Sequence, residues 1–276
     1  MNTRDVPVFI LCGGLGTRLR EETDVRPKPM VSVGNRPILW HIMRSYAAHG
    51  FRRFVLCCGY KSEVIKDYFL NYHAMNCDFT VGLARNEVTV HSVDHDDDWE
   101  VTLAYTGELT MTGARVARAA ERYLGDSPHF AVTYGDGVTD ADLSAEWAFH
   151  LSHDRLGTVL GVNPPSRFGE IRLEGDRVAE FAEKPDFEDS WINGGYFFFR
   201  RGFLGYLSRE ESCVLEKTPL VRLAADGQLA MFKHRGFWHP MDTQRDKDHL
   251  NKLWESGQAP WAVRPKPAAP APATVA

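Results

Sequence analysis

Apolar residues in this chain gather into short unbroken runs, separated by stretches of helical spacing. Val8-Phe9-Ile10-Leu11 is the first run and leads directly into Cys12-Gly13-Gly14-Leu15-Gly16. A run without alternation predicts a strand covered on both faces. Pro37 then opens a segment in which Ile38, Leu39, Ile42, Met43 and Tyr46 fall on one helical face, and Gly50 closes it. Proline at the start of a helix and glycine just past its end are the expected punctuation. Phe54 to Cys58 predicts a second strand and Gly59-Tyr60 a turn, with Ser62 as the cap of a second helix carrying Val64, Ile65, Tyr68 and Phe69. Strands and helices alternating in this rhythm predict parallel βαβ units.

Farther along, Phe130 to Tyr134 predicts a strand ending at Gly135-Asp136-Gly137, Leu143 to His153 a helix, and Thr158 to Val162 another strand. From Phe168 the pattern alternates. Ile171 and Leu173 precede the tight turn Gly175-Asp176, and Val178 and Phe181 come after it, which predicts an antiparallel hairpin leading to Asn193-Gly194-Gly195 and a strand over Tyr196 to Phe199. A helix carrying Leu250, Leu253 and Trp254 comes after Phe237-Trp238-His239-Pro240-Met241-Asp242. The expected fold is α/β: a mixed but mostly parallel sheet flanked by helices, with a small antiparallel subregion at about residues 163–200. Residues 1–262 read as a single domain, and the Pro/Ala-rich 263–276 as a disordered tail.

Composition narrows the partners. At 276 residues, with 43% hydrophobic and 25% charged residues, the chain matches ordinary globular proteins. A net charge of −5 argues against nucleic acid as a ligand. No apolar stretch approaches membrane-spanning length, and none resembles a signal peptide. The five cysteines, odd in number and without C-x-x-C spacing, read as reduced thiols of a cytoplasmic protein. Asp94 to Asp98, including His95, reads as a solvated acidic loop.

The chemistry concentrates in the glycine turn and the residues just after it. A glycine loop after a strand exposes backbone N–H groups to which a polyphosphate can come close. The dinucleotide fingerprint is excluded because Leu19 stands where its third glycine belongs, and no Gly-Lys-Ser/Thr triplet completes a P-loop. Arg18 adds a guanidinium. Lys28, bracketed by Pro27 and Pro29, is expected on extended backbone outside any helix, its ammonium leaving a stiff segment. Asp136 sits where α/β sheets bind ligands, although a structural turn aspartate fits the same position. Asp242 reads as the N-cap of the next helix, as half of a hard-oxygen site for Mg²⁺ if it meets Asp136, or as both. Lys184, before Pro185, is a hairpin-end lysine or a cation for a second phosphate.

Taken together, Gly13 to Leu19, Arg26-Pro27-Lys28-Pro29-Met30, Pro37 to Met43, Cys57 to Lys61, Met111-Thr112-Gly113, Tyr134 to Gly137, Ile192 to Gly195 and Phe237 to Thr243 resemble the sugar-1-phosphate nucleotidylyltransferases. The resemblance runs from about Val8 to Trp261 and is narrowest to the glucose-1-phosphate cytidylyltransferase family. It implies a Rossmann-like nucleotide-binding sheet with a sugar-binding region on one side, and transfer of a cytidylyl group from CTP to α-D-glucose 1-phosphate, giving CDP-glucose and pyrophosphate. By that resemblance Leu11, Cys12, Gly13 and Gly14 hold base and ribose, and Gly16, Thr17 and Arg18 the phosphates. Lys28 stabilises the reacting phosphate, and Asp136 and Asp242 hold Mg²⁺. Thr110, Thr112, Arg115 and Gly135 contact the nucleotide, while Lys184, Asn193 and Gly194 face the sugar phosphate. Glu170 is a sugar-hydroxyl partner or a plain surface residue. A homo-oligomer is the family habit. The alternatives left open are the same reaction with dTTP, UTP or another sugar phosphate, and a regulatory homologue without catalysis.

Overall fold

In the computed structural model of the chain, residues 2–91, 98–163, 170–182 and 191–262 are described. Asp94 to Asp97, Phe168, Gly169, Lys184 and the 263–276 tail lie outside them. Seven strands form the central sheet: β1 (Pro7–Leu11), β2 (Arg53–Cys58), β3 (Glu100–Tyr105), β4 (His129–Tyr134), β5 (Gly157–Val162), β6 (Ile192–Arg200) and β7 (Leu229–His234). Their spatial order is β7-β5-β6-β4-β1-β2-β3. All neighbours pair parallel except β6, which runs antiparallel to both β4 and β5.

Alternation along each strand separates two cores. Val8, Ile10, Phe54, Leu56, Ala131, Tyr196 and Phe198 face one side with helices α1 (Ile38–Ala48), α2 (Ser62–Leu70), α4 (Leu143–Leu151) and α6 (Gln244–Glu255). Phe9, Leu11, Val55, Val132, Phe197 and Phe199 face the other, with α3 (Thr112–Tyr123) and α5 (Thr218–Ala225). Both faces of the sheet are thus covered, and the unbroken apolar runs result from that.

The hairpin expected around Gly175 forms as Glu170–Glu174 paired with Arg177–Ala182, apart from the central sheet. Asn193-Gly194-Gly195 does not precede the last antiparallel strand but lies inside it. The register between β5 and β6 slips between Val159 and Gly161, whose partners are Phe197 and Asn193, so the intervening glycines bulge out. Bulges of this kind re-aim a strand beside a ligand site. Two helix boundaries also differ from expectation. Ser62 is the first helical residue rather than the cap; Lys61, with φ 49°, occupies the cap position and supplies no side-chain bond. The fourth helix stops at Leu151, two residues early, where the Ser152 amide closes onto Ala148 and Phe149.

Glu146, on α4, is fully buried and neither carboxylate oxygen has a hydrogen-bond partner. Burial pushes its carboxyl well above the usual range, so the folded protein keeps a proton that the unfolded chain releases at neutral pH. A folded-state value above the unfolded one lowers stability progressively as pH rises past the ordinary glutamate value. Replacing Glu146 with Leu is expected to raise the unfolding free energy at pH 7.5 by about 1–3 kcal/mol. The gain shrinks toward pH 4.5, and urea melts at the two pH values measure it.

Candidate active site

The carboxyl ends of β1 and β4 open onto a cavity of about 650 Å³. After β1 the chain turns through Gly16 into a single 3-10 turn, Thr17–Leu19. Thr23 fastens that turn by donating its hydroxyl to the carbonyls of Gly16 and Leu19 at 3.1 and 3.0 Å. Lys28 departs from expectation, since it opens a 3-10 turn, Lys28–Met30, closed by Met30 N–H to the Pro27 carbonyl at 2.8 Å. Pro29 is tolerated because it occupies the first turn, where a missing N–H leaves no bond unmade. The segment remains stiff, and Lys28 is only 8% exposed.

A short antiparallel ribbon joins the remote acidic positions. Gly137–Thr139 pairs with Trp238–Pro240 in the register Pro240 to Gly137, and the Met241 N–H donates to the Asp136 carbonyl at 2.8 Å. Gly135 allows this end of β4 to lie close to the Lys28 turn: a Cβ there would stand 2.8 Å from both the Leu11 carbonyl oxygen and the Pro29 ring. Asp136 and Asp242 consequently face one cation. The Lys28 ammonium donates to Asp136 Oδ2 at 2.6 Å and to Asp242 Oδ1 at 2.7 Å, and Arg18 donates to Asp242 Oδ2 at 2.8 Å. Burial alone would lower the Lys28 value, but the two carboxylates outweigh it and hold the ammonium above the usual lysine range. It stays charged at any pH near neutral. An ammonium has three N–H donors, and two are used here, so the third remains for a ligand oxygen.

A family model described as nucleotidyl transferase matches residues 8–243. The chain belongs to the nucleotidyl transferase family. Among similar proteins, the glucose-1-phosphate cytidylyltransferase of Salmonella typhi is 47% identical over 252 residues, covering 91% of this chain and 97% of that one. The probable glucose-1-phosphate cytidylyltransferase of Bacillus subtilis (strain 168) is 38% identical over 254 residues, covering 92% and 98%. In fold, the chain is similar to a crystal structure of a putative glucose-1-phosphate thymidylyltransferase from Bacillus anthracis, with a TM-score of 0.64 at 18% identity over 95% of this chain and 98% of that one.

In this nucleotidyl transferase the cavity is lined by Leu11, Gly13, Gly14, Gly16, Thr17, Arg18, Lys28, Thr110, Thr112, Arg115, Gly135, Asp136, Asn193, Gly194 and Asp242. Of the residues expected at the site, Cys12 lies behind the wall, fully buried, its amide donated to the Cys57 carbonyl at 3.1 Å. Lys184 is outside the described residues. Arg115 is buried, and its guanidinium donates to the carbonyls of Gly13, Cys58, Gly107 and Glu108 and to the Thr106 hydroxyl at 2.7–3.1 Å. It braces three loops of the nucleotidyl transferase around the cavity. Thr112 donates its hydroxyl to Glu216 at 2.8 Å and accepts from Leu215 N–H at 2.9 Å, and Thr110 accepts from Arg118 at 2.8 Å.

Asp242 does not cap the last helix of the nucleotidyl transferase. Thr243 does, in a capping box with Asp246, because the shorter threonine arm accepts the Asp246 amide while leaving Asp242 free to turn inward. Asp246 has no signal in the sequence beyond its place three residues after Thr243, yet its Oδ2 takes the amides of Asp242 and Thr243 at 3.1 and 2.8 Å. Tyr134 and Trp238, inside recognisable motifs but without an assigned role, also line the cavity, and Trp238 Nε1 donates to the Gly194 carbonyl at 2.7 Å. Replacing Asp246 with Ala is expected to lower the unfolding free energy by about 1–2 kcal/mol through loss of the box, measured by urea denaturation.

Proposed function

We propose that the protein makes CDP-glucose and pyrophosphate from CTP and α-D-glucose 1-phosphate. The observation that carries this reading is the meeting of Lys28, Asp136, Asp242 and Arg18 at one cavity mouth, in a chain 47% identical over most of its length to a glucose-1-phosphate cytidylyltransferase. The acceptor phosphate is already anionic at neutral pH and needs no general base. Its oxygen forms a bond to the α-phosphorus as the bond from that phosphorus to the bridging oxygen breaks, and pyrophosphate leaves with the electron pair. The obstacle is repulsion between two anions that must meet in line, which positioned cations relieve. Lys28 supplies its free N–H to the phosphate under attack. Arg18, whose side chain is 72% exposed, reaches the outer phosphates from the rim. The amides of the glycine turn and Gly135 face the nucleotide, and Asn193, Gly194 and Lys184 are assigned to the sugar phosphate.

Nucleotidyl transferases of this family generally use Mg²⁺. Two converging carboxylates are a hard-oxygen donor set that suits this ion when phosphate oxygens complete its shell. Asp136 and Asp242 would hold it, and it would neutralise phosphate charge there. Asp136 Oδ2 and both oxygens of Asp242 accept from cationic side chains, so the same carboxylates also position Lys28 and Arg18.

The rest of the reading is coarser. Residues 1–262 are taken as one domain because α6 packs back near the N-terminal half, with the Trp254 ring against Gly34. Among the described residues no helix is long and apolar enough to cross a membrane, and the cysteines are free, which supports a cytoplasmic setting. A homo-oligomer is supported by the isolated hairpin Phe79–Gly82 with Glu87–Val90, where Phe79, Val81, Val88 and Val90 are cross-strand partners and all exposed. A lone two-stranded hairpin of that kind is marginal in water.

In a pyrophosphate-release assay with glucose 1-phosphate, CTP is expected to outperform UTP and dTTP at least tenfold, and a chelator to abolish turnover that Mg²⁺ restores. Asp136→Asn and Lys28→Ala are each expected to lose about a thousandfold in kcat with circular dichroism unchanged. Near-normal rates in either variant would remove that residue from the chemistry.

A further inference from the structure

Glu216 lies just before α5, exposed and outside the cavity lining, and its two carboxylate oxygens take two different donors. Oε1 accepts the Tyr134 phenol at 2.5 Å, and Oε2 accepts the Thr112 hydroxyl at 2.8 Å. A phenol has a single proton. Once Tyr134 donates it to Glu216, the same oxygen can only accept from its other neighbour, Asn193, whose Nδ2 stands 3.3 Å away. The amide of Asn193 is fixed in turn: its oxygen accepts Gly195 N–H at 2.8 Å, and its NH₂ faces Tyr134. One N–H of that NH₂ then remains for a ligand oxygen, at a residue that lines the cavity.

The ring of Tyr134 is held in place by packing. Gly195, at φ 78°, leaves the space it fills, since a Cβ there would stand 2.3 Å from the ring. Phe197 meets it edge to face at 6.2 Å. Burial and the Glu216 charge both push the Tyr134 phenol up, so its proton stays on near neutral pH.

We infer that Glu216 is a positioning residue which, through the Tyr134 hydroxyl, sets Asn193 as a donor toward the acceptor sugar phosphate. This rests on the assignment of the Asn193 end of the cavity to that substrate. Without an acceptor at position 216, the phenol proton can turn toward Asn193, and the Tyr134 oxygen then no longer accepts from that NH₂. The amide is then held by the Gly195 N–H alone, and its NH₂ loses the partner that sets it toward the ligand. Thr112 keeps its bond from Leu215 N–H but loses Glu216 as acceptor in Glu216→Leu, whereas Tyr134→Phe leaves the Thr112–Glu216 bond in place and so separates the two sides of the cavity.

The test measures kcat and both KM values for the full-length protein, using whichever of CTP, UTP and dTTP the unsubstituted enzyme prefers with glucose 1-phosphate. A preference for another base would overturn the CDP-glucose reading and leave this comparison intact. Glu216→Leu is expected to raise the sugar-phosphate KM at least tenfold while kcat and the nucleotide KM stay within threefold. Glu216→Gln, which keeps a carbonyl for the phenol, is expected to stay within threefold of the unsubstituted enzyme. Tyr134→Phe should match Glu216→Leu, and the double variant should be no worse than either. An unchanged sugar-phosphate KM in Glu216→Leu, an equal loss in Glu216→Gln, a rise confined to the nucleotide KM, or additive effects in the double variant would each overturn the inference. If Glu216→Leu does not fold, Tyr134→Phe decides alone, and an unchanged sugar-phosphate KM there overturns it.

Discussion

Two carboxylates hydrogen-bonded to one nearly buried ammonium are the constraint on which the site depends. Neither acid could face the other there without the cation, and the cation could not be buried without both acids, because desolvating any of the three charges alone is costly. The arrangement is possible only because the ribbon between Gly137–Thr139 and Trp238–Pro240 fixes the register of segments from the middle and the end of the chain. A slip of one residue would turn Asp242 to the opposite face. Asp246 and Thr243 hold the exit of that ribbon, and the Lys28 turn holds the third partner. Much of the scaffold beyond the sheet therefore positions one cluster of charge.

Much of this is legible in the sequence, and the reasons differ from element to element. Continuous apolar runs identify β1, β2 and β4 because strands covered on both faces have no polar side to interrupt them. The same logic fails at Asn193-Gly194-Gly195, where a bulge lets glycines belong to a strand they would otherwise end. Lys28 reads as extended because proline biases its predecessor, but a single 3-10 turn asks less of the backbone than an α-helix. Asp242 and Thr243 are adjacent and both suit a cap, and only the tertiary pull of Lys28 and Arg18 on Asp242 decides between them.

Side chains that act through others are not legible at all. Arg115 is expected among the nucleotide contacts and does line the cavity, but nothing in the pattern says that its donors go to backbone carbonyls of loops that only the folded chain brings together. Glu216 sits in a stretch with no motif, and its partners are far away in sequence. Local pattern carries no information about contacts of that range.

The antiparallel direction of β6 has a consequence for how such a site diversifies. A strand running against its neighbours begins where they finish, so the chain runs into the cavity at Asn193, near the start of β6, where β1 and β4 run out at their ends. Substitutions at Asn193 and Gly194 therefore alter that side of the cavity without touching β1, β4 or the glycine turn. One wall of the cavity can thus change through the opening residues of a single strand while the rest of the sheet stays as it is.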